Sequence, residues 1–158
     1  MPRRVRMQNR QRRLKVDRAS LCRLLARVLD DEGVDRARML EVALLRDARV
    51  AELNARYRGR CGPTDVLAFP VDARGWPREE PRPLGEVVVS GDRACAQAAE
   101  RRIAAGDELA RLLVHGLLHL LGYRDGAANE RARMRRRENR HLRAGRGRGE
   151  RGRRTRAE

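Results

Sequence analysis

No apolar run in this sequence is long enough to cross a membrane. The longest, such as Leu112–Leu121, are broken by His and Gly and fall well short of the ~20 residues a span needs. The N-terminus is basic, but Val5, Met7 and Gln8 do not make the apolar core of a signal peptide. Cysteine is scarce. Cys22, Cys61 and Cys95 are an odd number with no CxxC pair, which argues against a disulfide framework or a thiolate zinc site and for a reduced, cytoplasmic setting. Lysine is nearly missing, with Lys15 alone among 38 basic residues. That bias fits phosphate binding through paired guanidinium donors. It fits a GC-rich coding sequence as well, and composition alone favours the second.

What is abundant is arginine, and its placement matters more than its number. The 158 residues suit one domain, with a net charge of +16. Residues 1–13 hold six Arg and no acid, for +6, and residues 131–158 hold 13 Arg against Glu138, Glu150 and Glu158, for +10. The stretch 14–130 therefore carries 19 basic and 19 acidic residues and is neutral. A balanced body between two cationic ends favours polyanions, either nucleic acid or an anionic membrane surface.

The pattern along the chain alternates strands and helices. Val5–Gln8 with Leu14–Val16 suggests a short first strand at a sheet edge. Asp17 or Ser20 can cap a helix carrying Leu21, Leu24, Leu25, Val28 and Leu29 and ending at Gly33. Met39–Leu45 reads as a strand, and Asp47 as the cap of a helix through Val50, Leu53 and Tyr57. A loop over 58–63 leads to the strand Thr64–Phe69, and the prolines between Pro70 and Leu84 read as a hairpin connection or an extended flap. Glu86–Ser90 is a β-branched strand. Gly91–Asp92 opens a helix to about Ile103, and Gly106–Asp107 opens another with Leu109, Leu112, Leu113, Leu117 and Leu120 as a stripe, stopped by Gly122. A last helix runs from Ala127 to about Leu142. The Arg/Gly-rich end, 144–158, has almost nothing to bury and is expected to stay disordered, leaving 1–143 as the folded domain.

One segment carries chemistry: His115-Gly-Leu-Leu-His119-Leu-Leu-Gly122-Tyr123-Arg124-Asp125. A four-residue step is about one helical turn, so His115 and His119 share a face and can hold one metal ion. Asp125 stands six residues past the second histidine, the offset at which extended zinc motifs supply a third ligand. Two His and one Asp would leave a coordination position open for water. A zinc peptidase, however, places its general base, Glu, directly after the first His, and this chain has Gly116 there. Peptide hydrolysis is therefore disfavoured.

The same segment resembles the hallmark H-G-x-L-H-L-x-G-Y-D-H of the YbeY family of bacterial rRNA maturation endoribonucleases. Further blocks match in the family's order: Asn9-Arg10-Gln11, Leu53-Asn54-x-x-Tyr57-Arg58-Gly59, Pro63-Thr64-Asp65-Val66-Leu67-x-Phe69-Pro70 and Leu84-Gly85-Glu86. Together they cover roughly residues 5–140. The resemblance implies an α/β (α+β) single domain, with a small mixed four-stranded sheet, about five helices and a metal cleft at the HxxxH helix. It implies His115 and His119 as metal ligands with catalytic roles, and Arg58 as an arginine needed for RNA cleavage. The family's third histidine falls at Asp125 and the Asp before it at Arg124. The implied activity is Zn²⁺-dependent cleavage of single-stranded RNA, in maturing the 3′ end of small-subunit (16S) rRNA and in ribosome quality control. The implied partners are rRNA precursors, the small ribosomal subunit and its assembly proteins.

Asp125 in place of a neutral imidazole lowers the site's charge by one unit, making the metal a weaker Lewis acid and widening its choice toward manganese. The unchanged spacing after Gly122 argues that Asp125 kept the ligand's place. The alternative is a degenerate site in which it caps the next helix, leaving a non-catalytic RNA-binding assembly factor. Arg124 either contacts phosphate or faces water. Thr64 and Asp65 are expected to orient the Arg58 loop. Trp76 pins its loop or stacks on a base, nothing makes Cys61 a thiolate, and His141 on the basic last helix is expected in solvent.

Overall fold

A computed structural model describes residues 4–58 and 64–154, without side-chain detail for Arg58 and for 146–154. The chain order is β1 (Val5–Asn9), α1 (Arg18–Asp31), β2 (Arg38–Leu45), α2 (Asp47–Arg58), β3 (Val66–Pro70), β4 (Arg82–Ser90), α3 (Gly91–Arg101), α4 (Ala105–Leu120) and α5 (Ala128–Arg154). The four strands form one mixed sheet in the order β1-β2-β4-β3, with β3 alone antiparallel to its neighbour. The α/β class, the small mixed sheet and the five helices agree with what the sequence implied.

Alternation along the strands sends side chains to two unequal cores. Val5, Met7, Leu40, Val42, Leu44, Val87 and Val89 meet α1, α3, α4 and Met134 of α5 on one face. Ala43, Leu45, Leu67 and Val88 meet Val50 of α2 on the other. Helix α4 belongs to the larger core, and Leu109, Leu112, Leu113 and Leu117 on it are almost wholly buried. Its apolar stripe docks on the sheet and leaves the opposite rim of the helix for polar residues. Local caps begin the helices. The Asp17 carboxylate accepts from the Ser20 N–H at 3.2 Å, and the Ser90 hydroxyl accepts from the Arg93 N–H at 3.1 Å. Among the described residues, no helix is long and apolar enough to cross a membrane.

Three elements differ from the sequence reading. Leu14–Val16 lies outside the sheet. The buried Gln11 side chain donates to the Leu14 carbonyl at 2.8 Å and accepts from its N–H at 2.9 Å, satisfying groups that a strand partner would otherwise need. Strand β4 begins at Arg82, four residues before Glu86, because the β2 register shifts between Met39 and Leu40 opposite Pro83 and Gly85. Such a bulge tolerates a proline that a regular ladder would not. Helix α5 continues to Arg154, past the predicted end near Leu142. Its apolar signal stops there, and Gly145, Gly147, Gly149 and Gly152 disfavour a helix, so intrinsic propensity does not account for the extension. The expected tail 144–158 thus begins as helical backbone, with its side chains from 146 outside the described residues. The 70–84 segment is a hairpin connection between antiparallel β3 and β4, with Trp76 exposed in it.

Candidate metal centre

His115 and His119 sit one turn apart on α4, their rings edge to face with centroids 4.6 Å apart. The helix ends at Leu120, and Gly122, at φ +102°, makes the turn that an L side chain would strain. The chain then doubles back and presents Asp125 to the two rings. His119 Nε2 lies 3.1 Å from His115 Nε2 and 3.2 Å from Asp125 Oδ2, and His115 Nε2 lies 3.9 Å from the same oxygen. Among the described residues this is the one cluster of three such ligands.

The hydrogen bonds on the far sides of the rings decide what the cluster can hold. His119 Nδ1 faces the Tyr123 carbonyl at 3.0 Å, and a carbonyl only accepts, so Nδ1 carries the proton. His115 Nδ1 is hydrogen bonded to the Glu138 carboxylate, which places its proton there too. In the neutral rings both Nε2 atoms are then lone-pair acceptors, and the Asp125 carboxylate is a third. Three acceptors converging at 3.1, 3.2 and 3.9 Å repel one another unless a cation joins them. Those separations allow a point about 2.0 Å from all three atoms, the radius of zinc–nitrogen and zinc–carboxylate bonds. The donor set fits a divalent metal with an open position, and His115, His119 and Asp125 would hold it. The alternative reading, in which Asp125 caps the next helix, is not what the structure has. The Ala127 N–H donates instead to Glu130 at 3.0 Å.

Gly116 has no room for anything larger. A Cβ there would lie 2.7 Å from Val87 Cγ1 and 2.8 Å from Val66 Cγ2, so α4 lies against the sheet at this residue. The position that carries the general base in zinc peptidases faces the core here, and a glutamate could not reach a metal from it.

The supporting shell was invisible to sequence reasoning. Glu138 is buried on α5, one turn beyond Met134 and three residues before His141. These residues form the inward stripe of the helix. His141, expected in solvent, is likewise buried, and its Nε2 donates to Glu32 at 2.7 Å. An apolar count misses such a stripe because two of its members are polar. Glu32 ends α1 and gathers three donors: His141, Arg137 Nε at 2.7 Å and the Tyr123 hydroxyl at 2.8 Å. Burial alone would push the Glu32 carboxyl up, but the bonds from Arg137, His141 and Tyr123 hold it down at about 2. Through Tyr123 and α5, this one carboxylate ties down both elements that orient the histidines. A buried acid three to four residues from another helical polar residue was the only available signal.

The other candidates fall in different places. Arg58 is the last residue of α2, and its side chain, like all of Cys61, lies outside the described residues. Asp65 accepts from the Val66 N–H at 2.8 Å and from Gln97 Nε2 at 3.2 Å, which fastens the start of β3 to α3. Thr64 is half-buried beside it. Arg124 is exposed and lines a groove of about 330 Å³ with Tyr123, Glu130 and Arg133.

The sequence model of the family described as Endoribonuclease YbeY matches residues 6–145. Proteins of that name from Salinispora tropica and Alkaliphilus metalliredigens are 39% and 34% identical to this chain. Those alignments cover 75% and 87% of this chain and 82% and 92% of the relatives. The Persephonella marina protein of the same name is 40% identical over 61% of this chain, and the match spans 62% of that protein's length. A Thermotoga maritima protein solved in solution superposes with a TM-score of 0.62, covering 94% of this chain and 93% of that one at 23% identity, a likeness of fold.

Proposed function

This chain belongs to the YbeY endoribonuclease family, and from that premise we propose that it is a metal-dependent hydrolase that cuts single-stranded RNA. Its proposed setting is the cytoplasm, where it matures the 3′ end of small-subunit rRNA and takes part in ribosome quality control, with precursor rRNA and the small subunit as partners. The observation that carries the reading is the convergence of His115 Nε2, His119 Nε2 and Asp125 Oδ2, three acceptors within one coordination radius. When bound, a divalent ion, zinc in this proposal, supplies Lewis acidity toward a phosphoryl oxygen or activates water.

The residues do the rest. Glu138 and the Tyr123 carbonyl hold both imidazoles in the tautomer whose Nε2 faces inward. Asp125 contributes a negative charge where the family pattern has a neutral ring, so the centre binds its cation more strongly by charge and polarises substrate less. Arg58 is proposed to grip the scissile phosphate. Its guanidinium, never deprotonated, can stabilise developing charge but cannot serve as base. Packing at Gly116 leaves no place for the peptidase base, which supports phosphodiester over peptide chemistry.

The test is cleavage of a labelled single-stranded RNA by the purified protein, with metal content measured on the same sample. His119→Ala is expected to lose both metal and cleavage. Arg58→Ala is expected to keep its metal and lose cleavage by at least about 100-fold, the usual cost of deleting one charge-stabilising donor. A parent that holds its metal but cuts no RNA would instead be a binding factor in ribosome assembly.

A further inference from the structure

Arginines line two adjoining grooves beside the Asp125 loop. The groove next to that loop is lined by Tyr123, Arg124, Glu130 and Arg133, and it shares Tyr123 and Arg133 with a second groove of about 330 Å³ lined by Arg136, Arg137 and Arg140. At about 100° per residue, positions 133, 136, 137 and 140 fall within one third of the α5 circumference. They advance about 10 Å along the axis, more than one phosphate spacing. Arg137 spends its charge on Glu32 at 2.7 Å. Arg124, Arg133, Arg136 and Arg140 are exposed, and none of them pairs with a carboxylate among the described residues. The Tyr123 ring stands where the two grooves meet, fixed by its hydroxyl bond to Glu32. A roomier groove of about 670 Å³ lies on the α2 side of the sheet, where Arg10, Arg46 and Arg49 share the lining with Glu86 and apolar residues.

We propose that this face of α5 is a phosphate rail that leads single-stranded RNA to the metal centre. Arg124, Arg133, Arg136 and Arg140 hold successive backbone phosphates, and Tyr123 offers a ring for one base to stack on. The proposal rests on the endoribonuclease reading. Guanidinium forks suit phosphate oxygens, a backbone contact carries no base identity, and a fixed aromatic ring accepts any base. The same charge could attract an anionic membrane. The RNA strand is the better occupant because the rail begins at the residue next to a metal ligand, where a phosphodiester has to arrive.

The test is binding of a labelled single-stranded RNA by the full chain from 50 to 200 mM salt, comparing the parent with R133Q/R136Q/R140Q. Each lost phosphate contact removes a slope of about 0.7 from log K against log salt. The triple variant should therefore be shallower by about two units, bind roughly 100-fold more weakly at 0.1 M salt, and carry the parent's metal content. The corresponding triple Lys variant should keep the parental slope, since counterion release counts charges. A glutamine variant with the parental slope, or a lysine variant as shallow as the glutamine one, overturns the rail. So does a glutamine variant that loses binding to vesicles containing phosphatidylserine while keeping its RNA slope. A parent that neither binds nor cuts single-stranded RNA fails the endoribonuclease reading first, so the two failures are distinguishable.

Discussion

Asp125 reaches the histidines because Gly122 reverses the chain and the Tyr123 carbonyl pins its return to His119. All of these residues lie within 11 positions of one another, so helical spacing and one glycine made the candidate ligand group legible in the sequence. Glu138 was not, because it meets His115 only after a second helix has docked from 23 residues away. The role of Asp125 is testable by charge and by shape. Asp125→Asn keeps the size but replaces an anionic ligand with a weak one, and it should lower zinc affinity by more than the about 10–100-fold that loss of a supporting partner costs. Asp125→His should retain affinity within about tenfold of the parent, because imidazole is an equally good zinc ligand at this position. Chelator competition measures both. An asparagine variant with parental affinity would remove Asp125 from the coordination sphere.

Helix α5 matters to the site through what it places rather than through its length. Its inward residues Met134, Glu138 and His141 dock on the α4 and α1 side, and Glu32 at the end of α1 fastens them. Most elements were readable from apolar periodicity and capping residues. The misses share one cause, polar groups satisfied by tertiary partners: Gln11 closing the Leu14 loop, Pro83 at a bulge, and His141 turned inward. The Glu32 node gives a pH signature with a definite sign. Its carboxyl sits at about 2 in the folded chain against an ordinary 4.5, so the unfolded chain binds more protons between those values. Its contribution is then fully present above about pH 4.5 and fades as pH falls through about 2. After allowing for solvent screening at a helix end, that contribution is on the order of 1–2 kcal/mol. Glu32→Gln should be less stable than the parent by that amount in urea denaturation at pH 7, and the gap should narrow steadily on acidification below pH 4.5. A gap that stays constant down to pH 2 would show that the carboxylate charge contributes nothing.

Across the whole molecule, the excess charge is concentrated in the first 13 and last 28 residues, which also supply β1 and most of α5. The stretch 14–130 is neutral, and the +6 and +10 ends supply the long-range field. Under the proposed function a division of labour is expected: the ends set how strongly RNA is drawn in, and the metal centre sets where it is cut. Truncation after Gly145 separates the two roles at a defined place. Gly145 still lies against α1, where a Cβ would meet Arg27 at 3.1 Å, so the packed part of α5 is kept. The segment removed, 146–158, holds six Arg and two Glu, a change of −4 in net charge. If three of those arginines touch phosphate, the salt dependence of RNA affinity should flatten by about two slope units. The cleavage position on a defined RNA should not move, because the ligands, their supports and Arg58 all precede the cut. Affinity and salt slope equal to those of the parent would make the segment beyond Gly145 a passive extension of α5, and a shifted cleavage position would mean that the tail aligns the strand as well as attracting it.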